Sequence, residues 1–307
     1  MRVSEHSEFM EKVIVKARDG YDLDLHVFAA EKAKAVVQII HGMEEHQGRY
    51  EDFAEFLCRH GYSAVSSDMR GHGRGAEYLG YFKDTKGYLE LIEDQKTVTD
   101  FIKKRFHQLP IFILAHSMGT ITTRVLLQQD SSKYEKVVLS GYPNYQKGTR
   151  CGILLADILK TLRGTKYKSK LIHSLSVGAF DKQIDHQAGG SWICYNDETV
   201  RAFAEDPYCG FGFTCSAFSD LFHLVAMMHK PERYQNVNRD LPLLLLRGQD
   251  DPCTGGEKGA KDSYRVLAKA GFRNIQSIAY PHMRHEILNE TDHQKVYGDI
   301  LTFYQAT

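Results

Sequence analysis

The chain has 307 residues, 42% of them hydrophobic and 25% charged, a balance that fits a folded globular protein and excludes a low-complexity one. Lys+Arg and Asp+Glu both number 39, so no charge bias points to nucleic acid or to an acidic partner. No apolar run reaches the roughly 18 residues that a spanning helix needs, and the polar stretch from Met1 to Lys12 shows no apolar core of a secretory signal. The six cysteines (58, 151, 194, 209, 215, 253) form no C-x-x-C pair; the expectation is reduced thiols in a cytoplasmic protein.

Apolar residues alternate at Val13, Val15, Leu23, Leu25 and Val27 around Asp19-Gly20, which predicts a hairpin. Val36 to Ile40 reads as an apolar strand, interrupted only by Gln38, that runs into His41-Gly42-Met43-Glu44-Glu45-His46. Phe53, Phe56 and Leu57 mark a helix stopped by Gly61. Ser63 to Ser67 reads as a strand and leads into Asp68-Met69-Arg70-Gly71-His72-Gly73. Leu91, Val98, Phe101, Ile102 and Phe106 give a helical stripe. Ile111 to Leu114 is an unbroken apolar run, as in a strand buried on both faces. After Val137 to Leu139 the alternation stops, and helical or aromatic segments follow: Ile153 to Leu162, Leu171 to Phe180, Val200 to Ala204 and Phe218 to Met228. It resumes with Leu243 to Leu246, a helix around Tyr264 to Ala270, a strand Ile275 to Tyr280 and a last helix near Val296 to Tyr304. Buried strands alternating with amphipathic helices predict an α/β fold, a mostly parallel central sheet with helices on both faces and an inserted, mainly helical cap. The expected division is 1–142 with 239–307 as the core and 143–238 as the cap.

Ala115, Ser117 and Gly119 are small and spaced by two, between the Ile111 strand and a helical stripe of Ile121, Val125 and Leu126. Small-x-Ser-x-small at a strand-to-helix turn is the nucleophile elbow of the α/β-hydrolases. It exposes the serine at a helix N-terminus, where backbone N–H groups favour a developing anion. Alone, the pentapeptide also fits a serine capping an ordinary helix. Two later strands supply partners. Leu243–Leu246 runs into Arg247-Gly248-Gln249-Asp250-Asp251, and Ile275–Tyr280 into Pro281-His282-Met283-Arg284-His285. Serine, acid and histidine thus follow the α/β-hydrolase chain order at strand ends. The chemistry needs all three: an imidazole takes the hydroxyl proton, and a carboxylate holds its tautomer and stabilises the imidazolium.

The stretches His41 to His46 with Arg49-Tyr50, Asp68 to Gly73, His116 to Gly119, Gly248 to Pro252 and His285-Glu286-Ile287-Leu288-Asn289-Glu290 span nearly the whole chain. Together they resemble the monoacylglycerol lipase/lysophospholipase branch of the α/β-hydrolases. Ser191-Trp192 and Glu205-Asp206-Pro207 resemble cap segments of its bacterial members. Ala115 replaces the usual Gly, and the rest of the cap departs from the pattern. The resemblance implies a serine hydrolase of small lipid esters, working through an acyl-enzyme. Ser117 would be the nucleophile, His285 the base and Asp251 the acid, since the family sets the acid three residues after Gly248; Asp250 is the rival. The backbone N–H groups of Met43 and Met118 would form the oxyanion hole. No cofactor and no metal is implied. His282 with His41, His46 and His72 invites a zinc reading, but spacing alone does not assemble such a ligand set. A short-chain carboxylesterase, or a hydrolase-fold binding protein without chemistry, is the alternative.

Phe180, Phe203, Phe211, Phe213, Phe218 and Phe222 crowd the cap with Met227-Met228. Most are expected to bury the cap's own core, and some to face the serine, where an apolar tunnel would hold an acyl chain at ~0.8 kcal/mol per methylene. Lys147, Arg150, Lys160, Arg163, Lys166, Lys168 and Lys170 interleave with Ile153, Leu154, Leu155, Ile158, Leu159 and Leu162 against the single acid Asp157. Such a stretch is either a surface for an anionic bilayer or a solvated helix face, and the sequence leaves both open. It leaves open equally whether Cys253 faces the substrate path.

Overall fold

The computed structural model describes residues 9–185 and 189–306; the residues before Phe9, on which the expectation about a secretory signal mostly rests, lie outside them. The expected hairpin is present as β1 (Met10–Lys16) and β2 (Asp22–Phe28), antiparallel with Met10 opposite Phe28. Then follow β3 (Val36–Ile40), α1 (Glu51–Arg59), β4 (Ser63–Ser67), α2 (Gly87–Arg105), β5 (Ile111–His116), α3 (Met118–Asp130) and β6 (Lys136–Ser140). After a helical stretch come β7 (Leu243–Gly248), α9 (Gly256–Ala270), β8 (Ile275–Tyr280) and α10 (His293–Gln305). The sheet has eight strands in the order β1-β2-β4-β3-β5-β6-β7-β8. From β4 to β8 every pairing is parallel. Strands β3, β4, β5 and β7 are buried throughout, as strands covered on both faces must be, and this is why they read as mostly small or apolar runs; buried Gln38 in β3 is matched by hydrogen bonds with Gln95 and Thr99.

The parallel order sets the carboxyl ends of β3, β4, β5, β7 and β8 along one edge, where an open α/β sheet gathers its functional loops. Among the described residues, those from Gly141 to Pro242 add no strand to the sheet. They hold α4 (Thr149–Arg163), α5 (Lys170–Leu175), α6 (Gly178–Asp181), α7 (Asp197–Glu205) and α8 (Cys215–Met228). One expectation needs correcting here. Leu171 to Phe180 is two short helices, because Ser176 adopts φ −103 and ψ −90, outside helical geometry, and breaks the run. Helix α8 is buried along much of its length through Phe218, Leu221, Leu224 and Met228, which join the hydrophobic core on the α2 and α3 side of the sheet. All six cysteines are free, and only Cys151 is exposed. Among the described residues no helix is long and apolar enough to cross a membrane.

Gly119 is a point of close approach. A Cβ placed there would collide with the carbonyl oxygens of Ile40 and His41, at the end of β3. These are backbone atoms and cannot swing aside. Overpacking of this kind costs about 1–3 kcal/mol, and in a domain this large each kcal/mol moves the unfolding midpoint by ~2–4 °C. Gly119→Ala is therefore expected to lower the midpoint by several degrees in a calorimetric scan; an unchanged midpoint would show that α3 shifts freely against β3.

Candidate active site

Strand β5 turns into α3 within a single residue. Ser117 has φ 48 and ψ −117, a left-handed backbone rare for a residue with a side chain. The surroundings hold it: its N–H donates to Ser140 O (3.0 Å), and its carbonyl accepts from the N–H and Oγ1 of Thr120, both at 2.8 Å. Such strain persists where neighbours over-determine it, typically at functional positions. The result lifts the Ser117 side chain out of the sheet edge and into a cavity.

His285, in the loop after β8, meets it there. Its Nε2 lies 2.8 Å from Ser117 Oγ, and its Nδ1 lies 3.0 Å from Asp251 Oδ2. The carboxylate fixes the Nδ1 proton and leaves Nε2 to accept from the hydroxyl. Asp251 also accepts from Cys253 N–H (2.8 Å) and from Thr254 Oγ1 (2.6 Å). Burial works to raise the Asp251 pKa, but the His285 charge and these hydrogen bonds hold it below the usual carboxylate range. Burial likewise pulls His285 down, yet the Asp251 carboxylate outweighs it, and the imidazole sits above its ordinary 6.5. Asp250 points elsewhere: it is exposed and accepts from Tyr195 OH at 3.1 Å. The structure thus brings Ser117, His285 and Asp251 together and leaves Asp250 out.

Met43 and Met118 line the same cavity as Ser117. The loop that carries Met43 is braced from below. Buried Glu45 accepts from Gly42 N–H and from Tyr50 OH (2.7 Å). Arg49 donates to Glu45 at 2.7 Å and grips Glu286 through both Nη atoms, at 2.8 and 2.6 Å. One guanidinium therefore ties the loop after β3 to the loop that holds His285. Sequence reasoning assigned these residues no role. The three lie inside the motif stretches, but a pairing across 237 residues has no periodic signal. Trp192 was also missed as a neighbour of the histidine: its ring lies 5.0 Å from that of His285 and 5.1 Å from Phe180. Buried Arg284 holds that segment down, donating to the carbonyls of Gly189 and Ser191 at 2.8 and 2.7 Å.

The histidines considered for zinc do not converge. His41 uses Nδ1 on Gly42 O (2.7 Å) and Nε2 on Met69 N–H (2.9 Å), and His72 uses Nδ1 on Arg70 O and Nε2 on Glu44 N–H. His46 pairs with Asp206 at 2.9 Å, and His282 is exposed. Burial lowers the pKa of His41, His72 (to about 3) and His116 (to about 4, with help from the His285 charge), so all three are neutral frame elements near pH 7.

The cavity has a volume of about 1150 Å³, somewhat above the ordinary range for ligand pockets. Of the six phenylalanines, Phe180, Phe203 and Phe222 line it, while Phe213 and Phe218 are core. Cys253 lines it too, only 5% exposed; burial and then the Asp251 charge push its thiol well above the ordinary range, so it is an unreactive wall residue.

Residues 31–292 match the family described as serine aminopeptidase, S33. The chain belongs to that family. This S33 member is 26% identical to a monoacylglycerol lipase of Mycolicibacterium smegmatis, over 88% of each chain. It is 30% identical to phospholipase YtpA of Bacillus subtilis, over 87% of this chain and 94% of that one. Its fold matches a carboxyl esterase from Bacillus coagulans with a TM-score of 0.88 at 20% identity, covering 97% and 98% of the two chains. The S33 chain is thus an α/β-hydrolase of the monoacylglycerol lipase-like branch, a hydrolase of the esterase and lipase kind.

The raised His285 pKa has a sign that can be tested. Below it, Nε2 carries a proton and cannot accept one from Ser117; above it, the neutral ring can. A histidine titration followed by NMR is expected to give a midpoint above 6.5, and Asp251→Asn should bring it down, since the main raising influence is removed. A wild-type midpoint at or below 6.5 would mean that burial outweighs the carboxylate.

Proposed function

We propose that this protein is a serine hydrolase of small lipid esters, monoacylglycerols or lysophospholipids, in which Ser117 attacks the acyl carbonyl. The observation that carries the reading is the continuous chain Ser117 Oγ, His285 Nε2, His285 Nδ1, Asp251 Oδ2, with links of 2.8 and 3.0 Å, opening into a large cavity with many apolar side chains. His285 takes the Ser117 proton as the hydroxyl oxygen bonds to the carbonyl carbon. The oxyanion would be received by the backbone N–H groups of Met43 and Met118. Collapse of the tetrahedral intermediate expels the alcohol, which leaves with the proton from His285. Water, deprotonated by the same imidazole, then attacks the acyl-enzyme; the Ser117 Oγ–acyl bond breaks, His285 returns the proton to Oγ, and the fatty acid leaves. Each oxyanion donor in such a site is typically worth ~10²–10³ in turnover. The names of the relatives support lipid esters over other acyl compounds, and an acyl chain would run between Leu155, Ile172, Phe180 and Phe222.

We read 143–238 as a lid over Ser117, and its outer face as the surface that meets the lipid aggregate. Leu154, Ile158 and Leu162 recur every four residues on α4 and are 62%, 46% and 73% exposed, with Leu171 and Leu175 of α5 at 54% and 66%. Leu175 also lines the cavity, so the apolar strip reaches its rim. Lys147, Arg150, Arg163 and Lys170, on or beside the same helices, are exposed, while Lys160 pairs with Asp157, Lys166 lies over the Tyr81 ring and Lys168 donates to Phe211 O. Isolated exposed leucines need no account, but an apolar strip rimmed by cations suits an anionic bilayer.

Ser117→Ala should abolish both ester hydrolysis and labelling by a fluorophosphonate probe. Asp251→Asn should cut turnover on the order of 10⁴-fold, as in a comparable triad, whereas Asp250→Asn should stay near wild type. Residual turnover in Ser117→Ala, or a reversal of the two aspartate results, would defeat the assignment. For the lid face, Ile158→Glu with Leu162→Glu is expected to abolish co-sedimentation with phosphatidylglycerol vesicles. High salt should weaken wild-type binding, because each basic residue near an anionic surface contributes about 1 kcal/mol. Binding that survives the double substitution would leave α4 a plain solvated helix.

A further inference from the structure

The two relatives differ in headgroup, one named for a glyceride and the other for a phospholipid. The cavity itself bears on that choice. Among the described residues its charged lining consists of Glu44, Glu45, Asp181 and Glu286, with no lysine or arginine. Glu45 and Glu286 are neutralised by Arg49 behind the wall. Glu44 is different. It is 6% exposed, its Oε1 is buried without a hydrogen-bond partner, and it has no ion pair among the described residues. Its neighbour in the chain is Met43, and its own backbone is pinned, with its N–H on His72 Nε2 (3.3 Å) and its carbonyl accepting from Gly210 N–H (2.9 Å). That backbone sits at φ 55, where glycine would be favoured. A carboxyl side chain thus stands on a strained backbone at the cavity wall, almost wholly buried and with one oxygen unmet. Burial raises its pKa, against the smaller opposing pull of backbone hydrogen bonds from Gly212 and Phe213 and of the His173 and Lys168 charges, so the unmet capacity is that of Oε1 alone. Lys168 is not part of the lining and is engaged by Phe211 O at 2.9 Å.

A buried carboxyl oxygen without a partner gains most from a hydroxyl donor; a lysophospholipid also carries a glycerol hydroxyl, so what separates it from a glyceride at this wall is its phosphate. A phosphate would set a second anion against a wall whose carboxyl and carboxylate groups have no lysine or arginine among them, and a like-charge contact away from water costs on the order of a hundredfold in binding. We propose that the cavity accepts esters with an uncharged, hydroxyl-bearing headgroup and rejects phosphate-bearing ones, with Glu44 as the residue that reads the difference. This rests on the hydrolase reading above and narrows its substrate class.

The test uses the full chain and one acyl length: lauroylglycerol, lauroyl lysophosphatidylcholine and lauroyl lysophosphatidic acid, with p-nitrophenyl butyrate as an ester without a headgroup. In the wild type, kcat/KM for the glyceride should exceed that for each phosphate ester by at least about tenfold, a floor well under the full effect of a like-charge contact. Glu44→Gln should shrink that ratio at least threefold or so, since it removes the charge and keeps the shape. Glu44→Gly should do the same, and its backbone is relieved rather than strained, so one of the two variants is expected to fold. The readout is the ratio within each variant, which a general loss of activity does not move. Equal wild-type rates on glyceride and phosphate esters, or a ratio unchanged in the folded variants, would overturn the proposal while leaving the hydrolase reading standing. A wild type inactive on p-nitrophenyl butyrate as well as on the lipids would sink that reading, and this one with it.

Discussion

The structure depends on one constraint: strand β5 must become helix α3 at Ser117 without a loop between them. That turn requires a left-handed residue with a side chain at its apex, and so an energetic cost that the neighbouring elements must offset. They do so by approaching closely. Gly119 lets α3 rest against the carbonyls that end β3, and Gly42 sits where any side chain would strike Glu45 and crowd His116 and Ser117. The same crowding that makes the turn possible brings the loop after β3, and with it Met43, beside the serine. Small residues here are a packing condition first, and the geometry of the site follows from it.

Buried charge then sets the loops around that turn. Arg49 bridges Glu45 and Glu286, with all three side chains largely shielded from water. Removing one member of such a set leaves the others uncompensated, so the set acts as a unit that fixes geometry more than it adds stability. Arg284 plays a comparable part on the other side of His285, holding the backbone of 189–191 and so the Trp192 ring over the imidazole. Both arginines join segments that are distant in the chain. The histidine is held by its own loop, by the loop after β3 and by the helical insertion together, which explains how a mobile side-chain type comes to be 2% exposed and aligned on two partners.

Much of this was legible beforehand. Strands β3, β4, β5 and β7 were found to within two residues because burial on both faces leaves few polar positions, Gln38 among them, where it bonds to Gln95 and Thr99, and the runs are bounded by glycines and charged loops. The order of Ser117, Asp251 and His285 at strand ends was legible for the same reason: position along a parallel sheet is a one-dimensional property. The insertion was read less well. Its helices are short and their apolar faces serve two surfaces, so periodicity did not show that Leu171 to Phe180 breaks at Ser176. Nor could composition tell Phe203 and Phe222, which line the cavity, from Phe213 and Phe218, which fill the core.

By itself, then, the sequence determined the sheet, its covering helices, the elbow and the edge on which the chemistry-bearing side chains collect, because each of these follows from local pattern and chain order. Tertiary structure alone decided the rest. It separated Asp251 from Asp250, adjacent residues of identical chemistry, by burying one against His285 and turning the other to solvent. It joined Arg49 to Glu286 and set Trp192 on the histidine. It also left Glu44 with an unmet oxygen at the wall of the cavity. These are facts about which surfaces meet after the chain has closed on itself, and hydrogen bonds across two hundred residues leave no trace in the spacing of the letters.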